Sequence, residues 1–232
     1  MAQGLLNIVA TPIGNLEDIT LRALRILKEA DFVLCEDTRE TRKILDHYQI
    51  KTPSISYHQH SDTVKVDKII ALLRAGKNLA LVTDAGTPGI SDPGGKLVSL
   101  VRESLGQEAA IVAVPGVSAL TAAVSLAGQG FDRFLFLGFL PHKKGRQTML
   151  KEVMASRNSV VMYESKHRII KLLEELAELE KKTGRTLALI VARELTKMHE
   201  SVYSGSPEEI RQDLEIRAGN LKGEFVVLVK NN

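Results

Sequence analysis

The 232-residue chain has no tryptophan, a single cysteine and only 4% aromatic residues. So few aromatics exclude a continuous stacking platform for single-stranded nucleic acid, which leaves charge and shape to hold any RNA. Cys35 cannot make an internal disulfide or a zinc site by itself. The N-terminal MAQGLLNIVA also lacks the basic start and long apolar stretch of a signal peptide, so a reducing, cytoplasmic setting is expected. Long hydrophobic runs are missing too: FLFLGFL is strand-sized, well short of the roughly 18 residues of a membrane span. Neither G-x-G-x-x-G nor G-x-x-x-x-G-K-[ST] occurs, so a ligand held by its phosphates is not expected. An excess of one charge is nearly absent, the formal net charge being +3. It is unevenly spread: residues 1–120 carry 13 Lys+Arg against 14 Asp+Glu, and residues 121–232 carry 18 against 14. A solvated surface accounts for that asymmetry as readily as a polyanion site does.

What is present is an ordinary globular composition, 44% apolar and 25% charged, in a length suited to one large α/β domain or two small ones. Short β-rich runs at 5–10, 31–35, 53–57, 78–83 and 109–114 alternate with helical patterns, as parallel β-α-β units require. Thr20 is placed to cap a helix carrying Leu21, Leu24 and Leu27, and residues 63–75 repeat the pattern with Val66, Ile69, Ile70 and Leu73. The turn-rich GQGFDR sets an expected boundary near 128–133, giving a parallel α/β domain over 1–128 and a mixed α/β domain over 129–232. In the second half, strands are expected at 134–139, 159–163, 187–192, 199–205 and 224–230. A helix over about 167–182 aligns Ile169, Leu172, Leu173, Leu176 and Leu179 on one face.

Ligands of open α/β sheets bind beyond the carboxyl ends of the strands, so the loops after the first, fourth and fifth strands are the place to look. They read TPIGN from Thr11, DAGTPGISDPGG from Asp84 and PGVSA from Pro115. Any one of them is explicable as a tight βα connection; three at one sheet edge point to a site.

VATPIGNLEDIT, CEDTRETRKIL, VTDAGTPGISDPG, VPGVSALTAA, GFLPHKKGRQ, YESKHRI and ARELTKMHE, in this order along nearly the whole chain, resemble the type I (cytidine-2′-O)-methyltransferases of bacterial small-subunit (16S) ribosomal RNA, a branch of the tetrapyrrole methylase family. CEDTR followed by DAGTPGISDPG is specific to that branch. The resemblance implies an α/β, two-domain tetrapyrrole-methylase-like (class III methyltransferase) fold with S-adenosyl-L-methionine in a cleft between the domains. It implies cofactor contacts from Thr11, Pro12 and Gly14, from Asp84, Gly86 and Thr87, from Ser118 and Ala119, and from Tyr163, Leu195 and Glu224. It further implies a decoding-centre cytidine as target, small-subunit rRNA or the small ribosomal subunit as partner, and a homodimer. Relatives often continue past the last strand, whereas this sequence stops at Lys230-Asn231-Asn232; weaker RNA binding is the corresponding expectation.

In the implied reaction a ribose 2′-hydroxyl oxygen takes the methyl group, and a base or cation near that oxygen assists as its proton leaves. Candidates by residue type are Glu36, Asp37, His58, His60 and Lys166. Arg39 is assigned to a phosphate, and Lys166 or Asp37 to the neighbourhood of the hydroxyl, with the proton acceptor left open between them. The structural alternative is that Asp37 or Ser165 simply caps the helix that follows. His58 and His60 share a strand face but have no accompanying ligand cluster, so no metal is assigned. Pro141-His142-Lys143-Lys144-Gly145-Arg146 forms a basic loop, with Lys143, Lys144 and Arg146 as phosphate contacts and Arg157, Lys166 and Arg168 as possible extensions of the same face. Two other functions fit the residues: methylation of a small tetrapyrrole, and non-catalytic binding of RNA during assembly. CEDTR and the basic loop favour RNA over the first, and intact cofactor loops favour catalysis over the second.

Overall fold

In a computed structural model of the chain, residues 3–58, 63–128, 130–216 and 221–230 are described. Tertiary contacts divide the chain into Met1–Ser118 and Ala119–Asn232.

The first unit is a parallel sheet of β1 (Leu6–Val9), β2 (Phe32–Cys35), β3 (Ser54–Ser56), β4 (Leu79–Leu81) and β5 (Ile111–Val114), in the order β3-β2-β4-β1-β5. Helices α1 (Leu21–Glu29), α2 (Thr38–His47), α3 (Thr63–Arg74) and α4 (Gly94–Leu105) connect the strands. Successive side chains of a strand point to opposite faces, so β1 and β2 are apolar on both. Val9 and Val33 meet Ala23 and Leu27 of α1 and Leu45 of α2. Leu6 and Leu34 meet Ile69 and Leu73 of α3 and Leu97 of α4. Thr20 caps α1 as its position suggests, its hydroxyl accepting from the Ala23 amide at 3.0 Å.

The second unit is a mixed sheet of β6 (Phe134–Phe139), β7 (Ser159–Ser165), β8 (Ala188–Arg193), β9 (Ser201–Gly205) and β10 (Glu224–Lys230), in the order β6-β7-β10-β8-β9. Strands β6 and β7 run parallel; the other pairs are antiparallel. Its helices are α5 (Ala119–Leu126), α6 (Arg146–Ala155), α7 (Ile169–Thr183) and α8 (Pro207–Ile216). Ile169, Leu172, Leu173 and Leu176 of α7 are wholly buried against strand residues that include Val160, Met162, Phe225 and Val227, each such side chain contributing about 1.5–3 kcal/mol. The contact division falls before the turn-rich 128–133 segment because α5 packs on β10 and so belongs with the second sheet. No helix among the described residues is long and apolar enough to cross a membrane.

Candidate active site

In the first sheet β4 and β1 are neighbours, but the chain leaves β1 toward β2 and leaves β4 toward β5 on the other side. Each connection passes across the other strand, α1 packing on one face of the sheet and α4 on the other, and connections that leave adjacent parallel strands for opposite faces open a crevice at their carboxyl ends. The loops after β1 and β4 are joined there by a two-way bridge: the Thr11 amide donates to the Gly86 carbonyl at 2.9 Å, and the Gly86 amide to the Thr11 carbonyl at 3.1 Å. The Thr11 hydroxyl donates to the Thr83 carbonyl at 3.0 Å, and the Thr87 hydroxyl to the Val117 carbonyl at 2.9 Å, which draws in the loop after β5. All three loops singled out by residue type therefore meet. Thr11, Pro12 and Gly86 are buried, Thr87 and Ser118 are half-buried, and Gly14 and Asp84 face solvent. Gly86 adopts φ +84°, a conformation that an L side chain rarely takes. Asp92 closes the long loop on itself, its carboxylate accepting from the amides of Gly89 at 2.8 Å and Gly94 at 2.6 Å.

Carboxylates crowd the same edge. Glu36 and Asp92, with Tyr57, Thr83 and Gly94, line a cavity of ≈ 10 Å³, about the room one water needs. Burial pushes the Glu36 carboxyl above the usual range, reinforced by Asp84 and Asp92 and opposed by His58. Asp84 faces solvent yet is partly desolvated by its neighbours, which raises its carboxyl as well; the Asp37 amide, donating to its Oδ1 at 3.2 Å, opposes this, and the negative charges of Asp37, Glu40 and Asp92 add to it. A cationic ligand would relieve both groups. Without one, the fold favours their protonated forms. For Asp84 the resulting stabilisation is full below its unperturbed value of 3.8 and is lost as pH rises through the raised value, so the ionised group is a net cost at neutral pH. Asp84→Asn is accordingly expected to raise Tm at pH 7 by on the order of 1–3 °C, and to leave it unchanged at pH 3, in thermal scans of the ligand-free protein.

Asp37 and Arg39 are paired with each other at the start of α2. Asp37 caps α2, its Oδ1 accepting from the Arg39 amide at 2.8 Å, and its two oxygens pair with Arg39 Nε at 3.0 Å and Nη2 at 2.6 Å. The Arg39 hydrogen bonds hold its carboxyl down at about 2. The capping alternative is the one the geometry shows. The Arg39 side chain remains largely exposed while paired to Asp37.

In the second unit, the Tyr163 hydroxyl accepts from the Leu120 amide at 3.2 Å, and its ring stands edge-on to Phe136 and Phe139, 5.0 and 5.5 Å away. Leu195 is buried between two non-glycine residues with positive φ, Glu194 at 51° and Thr196 at 66°. Strain of this kind persists only where surroundings impose it. The Glu194 carboxylate accepts from the Glu224 amide at 2.9 Å, and Lys197 bridges Glu194 and Glu224 at 2.8 and 2.9 Å. Gly223, at φ +109°, leaves the space: a Cβ there would stand 2.4 Å from Glu194. Glu194, Thr196, Lys197 and Gly223 escaped the sequence reading, because neither Glu nor Thr signals a positive φ; the glycine before β10 was the only available sign.

The basic loop is partly what its composition suggested. His142, Lys143 and Lys144 are exposed between β6 and α6, and Lys166 and Arg157 are exposed as well. Arg146 is not a phosphate contact: it is 3% exposed and pairs with Glu175 at 2.7 Å and Glu164 at 3.6 Å. Arg168 is likewise turned inward, pairing with Glu164 at 2.8 Å and donating to the Leu140 carbonyl at 2.8 Å. Ser165 does not cap α7, whose N-cap position is Arg168 and carries no side-chain cap bond. His58 is half-buried and His60 lies outside the described residues. Among the described residues no group of three His, Cys, Asp or Glu is placed to hold a metal.

A family model described as tetrapyrrole (corrin/porphyrin) methylases matches residues 5–211. A Synechocystis protein named ribosomal RNA small subunit methyltransferase I is 46% identical over 97% of this chain and 78% of its own length. A Hydrogenobaculum protein of the same name is 42% identical over 98% of this chain and 96% of its own. Among solved structures, the uroporphyrin-III C-methyltransferase of Thermus thermophilus, complexed with S-adenosyl homocysteine, superposes with a TM-score of 0.64 at 20% identity, covering 97% of this chain and 96% of that one; at that identity the likeness concerns the fold. With the loop geometry above, these matches settle the lineage: the chain belongs to the tetrapyrrole methylase family of S-adenosylmethionine-dependent methyltransferases, in the branch named for ribosomal RNA small subunit methyltransferase I.

Proposed function

We propose that this enzyme methylates the ribose 2′-hydroxyl of a cytidine in the decoding centre of small-subunit ribosomal RNA. The observation that carries the chemistry is the meeting of three loops at the β4/β1 crevice beside the carboxylates of Glu36, Asp84 and Asp92. The substrate comes from the names of its relatives and from the exposed Lys143 and Lys144.

The residues present suit the cofactor. Bound S-adenosylmethionine supplies a methyl group on a positively charged sulfur. Asp84 and its neighbours favour a cation, while the fixed loops from Thr11, Thr87 and Ser118 offer backbone groups to adenosyl and amino-acid moieties. Thr11, Pro12, Gly14, Asp84, Gly86, Thr87 and Ser118 of the first unit would hold it. Glu36 replaces Asp37 as the proton acceptor: it lines the small cavity with Thr83 and Asp92, and desolvation raises its proton affinity, whereas Arg39 pairs with Asp37 and lowers that of Asp37. Lys166 offers an exposed cation for RNA in the second unit, and Arg39 one in the first. We place the enzyme in the cytoplasm as a homodimer, which light scattering at micromolar concentration tests.

The deciding experiment is transfer of labelled methyl to small ribosomal subunits that lack ribose methylation, with mapping of the labelled nucleotide. Label on a cytidine 2′-oxygen is expected; label elsewhere, or none with the cofactor bound, overturns the assignment. Reversing both lysines (K143E/K144E) is expected to weaken subunit binding by about tenfold or more near physiological salt. The same variant should bind S-adenosylmethionine within twofold of wild type, measured by calorimetry.

A further inference from the structure

Glu164 sits at the end of β7 with its carboxylate fully buried. Its Oε1 accepts from the Ser165 amide at 2.8 Å and pairs with Arg168 Nε at 2.8 Å; its Oε2 faces Arg146 Nη1 at 3.6 Å. Each arginine also holds the segment after β6: Arg168 Nη1 donates to the Leu140 carbonyl at 2.8 Å, and Arg146 Nη1 to the Pro141 carbonyl at 3.4 Å. Glu175 of α7 completes the charge balance by accepting from Arg146 Nε at 2.8 Å. Since β6 and β7 are parallel neighbours, the segments leaving them emerge at one edge. One segment carries the exposed His142, Lys143 and Lys144, and the other the exposed Lys166 and His167.

We propose that Glu164 is a positioning residue for RNA: through Arg168 and Arg146 it locks these two basic segments into one surface whose cations are spaced before the substrate arrives. The inference rests on the rRNA reading above. A buried carboxylate shared by two arginines is an expensive arrangement that an apolar cluster could replace if stability alone were served. What it provides instead is fixed geometry. Its two arginines donate to the backbone carbonyls of one basic segment, and Arg168 itself ends the other, so the backbones that carry the cations need no ordering on binding.

The test uses E164Q, R168Q and the double variant, with small subunits lacking ribose methylation as substrate. E164Q is expected to raise KM for subunits at least tenfold, to keep S-adenosylmethionine affinity within twofold, and to flatten the plot of log binding constant against log salt by about one unit per lost phosphate contact. Loss of folded protein alone leaves that slope unchanged. The double variant is expected to be no worse than either single one, because both remove the same tether. Should E164Q not fold, R168Q carries the test by the same slope. An unchanged slope, or additive losses in the double variant, overturns the proposal. If the wild-type enzyme transfers no methyl to subunits, the rRNA reading fails; if it does and E164Q matches it, only the role of Glu164 fails.

Discussion

Glu36→Gln is expected to slow methyl transfer to small subunits by about 10²–10⁴-fold, the usual contribution of a positioned general base, while cofactor affinity changes less than tenfold. Glu36 follows β2 directly and lines the small cavity with Thr83, Asp92 and Gly94, at the edge where the loops after β1, β4 and β5 meet. Its carboxyl titrates above the ordinary 4.5 because burial and then the charges of Asp84 and Asp92 disfavour ionisation. Activity must therefore rise with pH on the acid side, with a midpoint above 4.5, and plateau once Glu36 is ionised. E36Q should lack that limb. It should also melt at a higher temperature at neutral pH, since it removes a charge the fold disfavours. Asp37→Asn is the contrast: it keeps the cap acceptor and loses only the Arg39 pairing, so turnover is expected within tenfold of wild type. The reverse outcome, with D37N inactive and E36Q near normal, returns the proton to Asp37.

Gly86→Ala is expected to raise the dissociation constant for S-adenosylmethionine at least tenfold and to lower Tm by about 2–8 °C. Two effects combine. At φ +84° an L side chain costs roughly 1–2 kcal/mol. A Cβ would also stand 3.3 Å from Ile13 Cγ2, in the loop after β1 that Gly86 grips through both hydrogen bonds to Thr11. Relief of either contact displaces the Thr11–Gly86 bridge, and with it the surface offered to the cofactor. Gly95 is the matched control just after the same long loop: it is the second residue of α4, and a Cβ there meets nothing within 4 Å. Gly95→Ala should leave affinity unchanged and stabilise by up to about 1 kcal/mol through helix propensity. Equal cofactor binding by G86A, measured by calorimetry, removes the bridge from the site.

Much of this protein was determined locally. The apolar runs of β1, β2 and β4, the stripe Ile169–Leu172–Leu173–Leu176 of α7 and the Thr20 cap are set by periodicities of two and of three to four residues, and by one side chain beside one helix end, all visible in a short window. The three glycine- and proline-bearing loops were legible for the same reason, since residue type constrains backbone wherever it is found. Tertiary structure alone decided which charges reach solvent. Lys143, Lys144 and Arg146 look alike in sequence, yet Arg146 is buried because Glu164 and Glu175, 18 and 29 positions further on, are brought to it by β7 and α7. Position in the fold likewise separated Glu36 from its neighbour Asp37: one lines a small cavity near the carboxylates Asp84 and Asp92 of another loop, the other is paired with Arg39 two residues away. The strained backbone at Glu194 and Thr196 was equally unreadable, because it is sustained by Lys197, Glu224 and the space at Gly223 rather than by any preference of its own residues. Local propensity acts over a few residues, whereas burial and ion pairing depend on what the folded chain brings alongside.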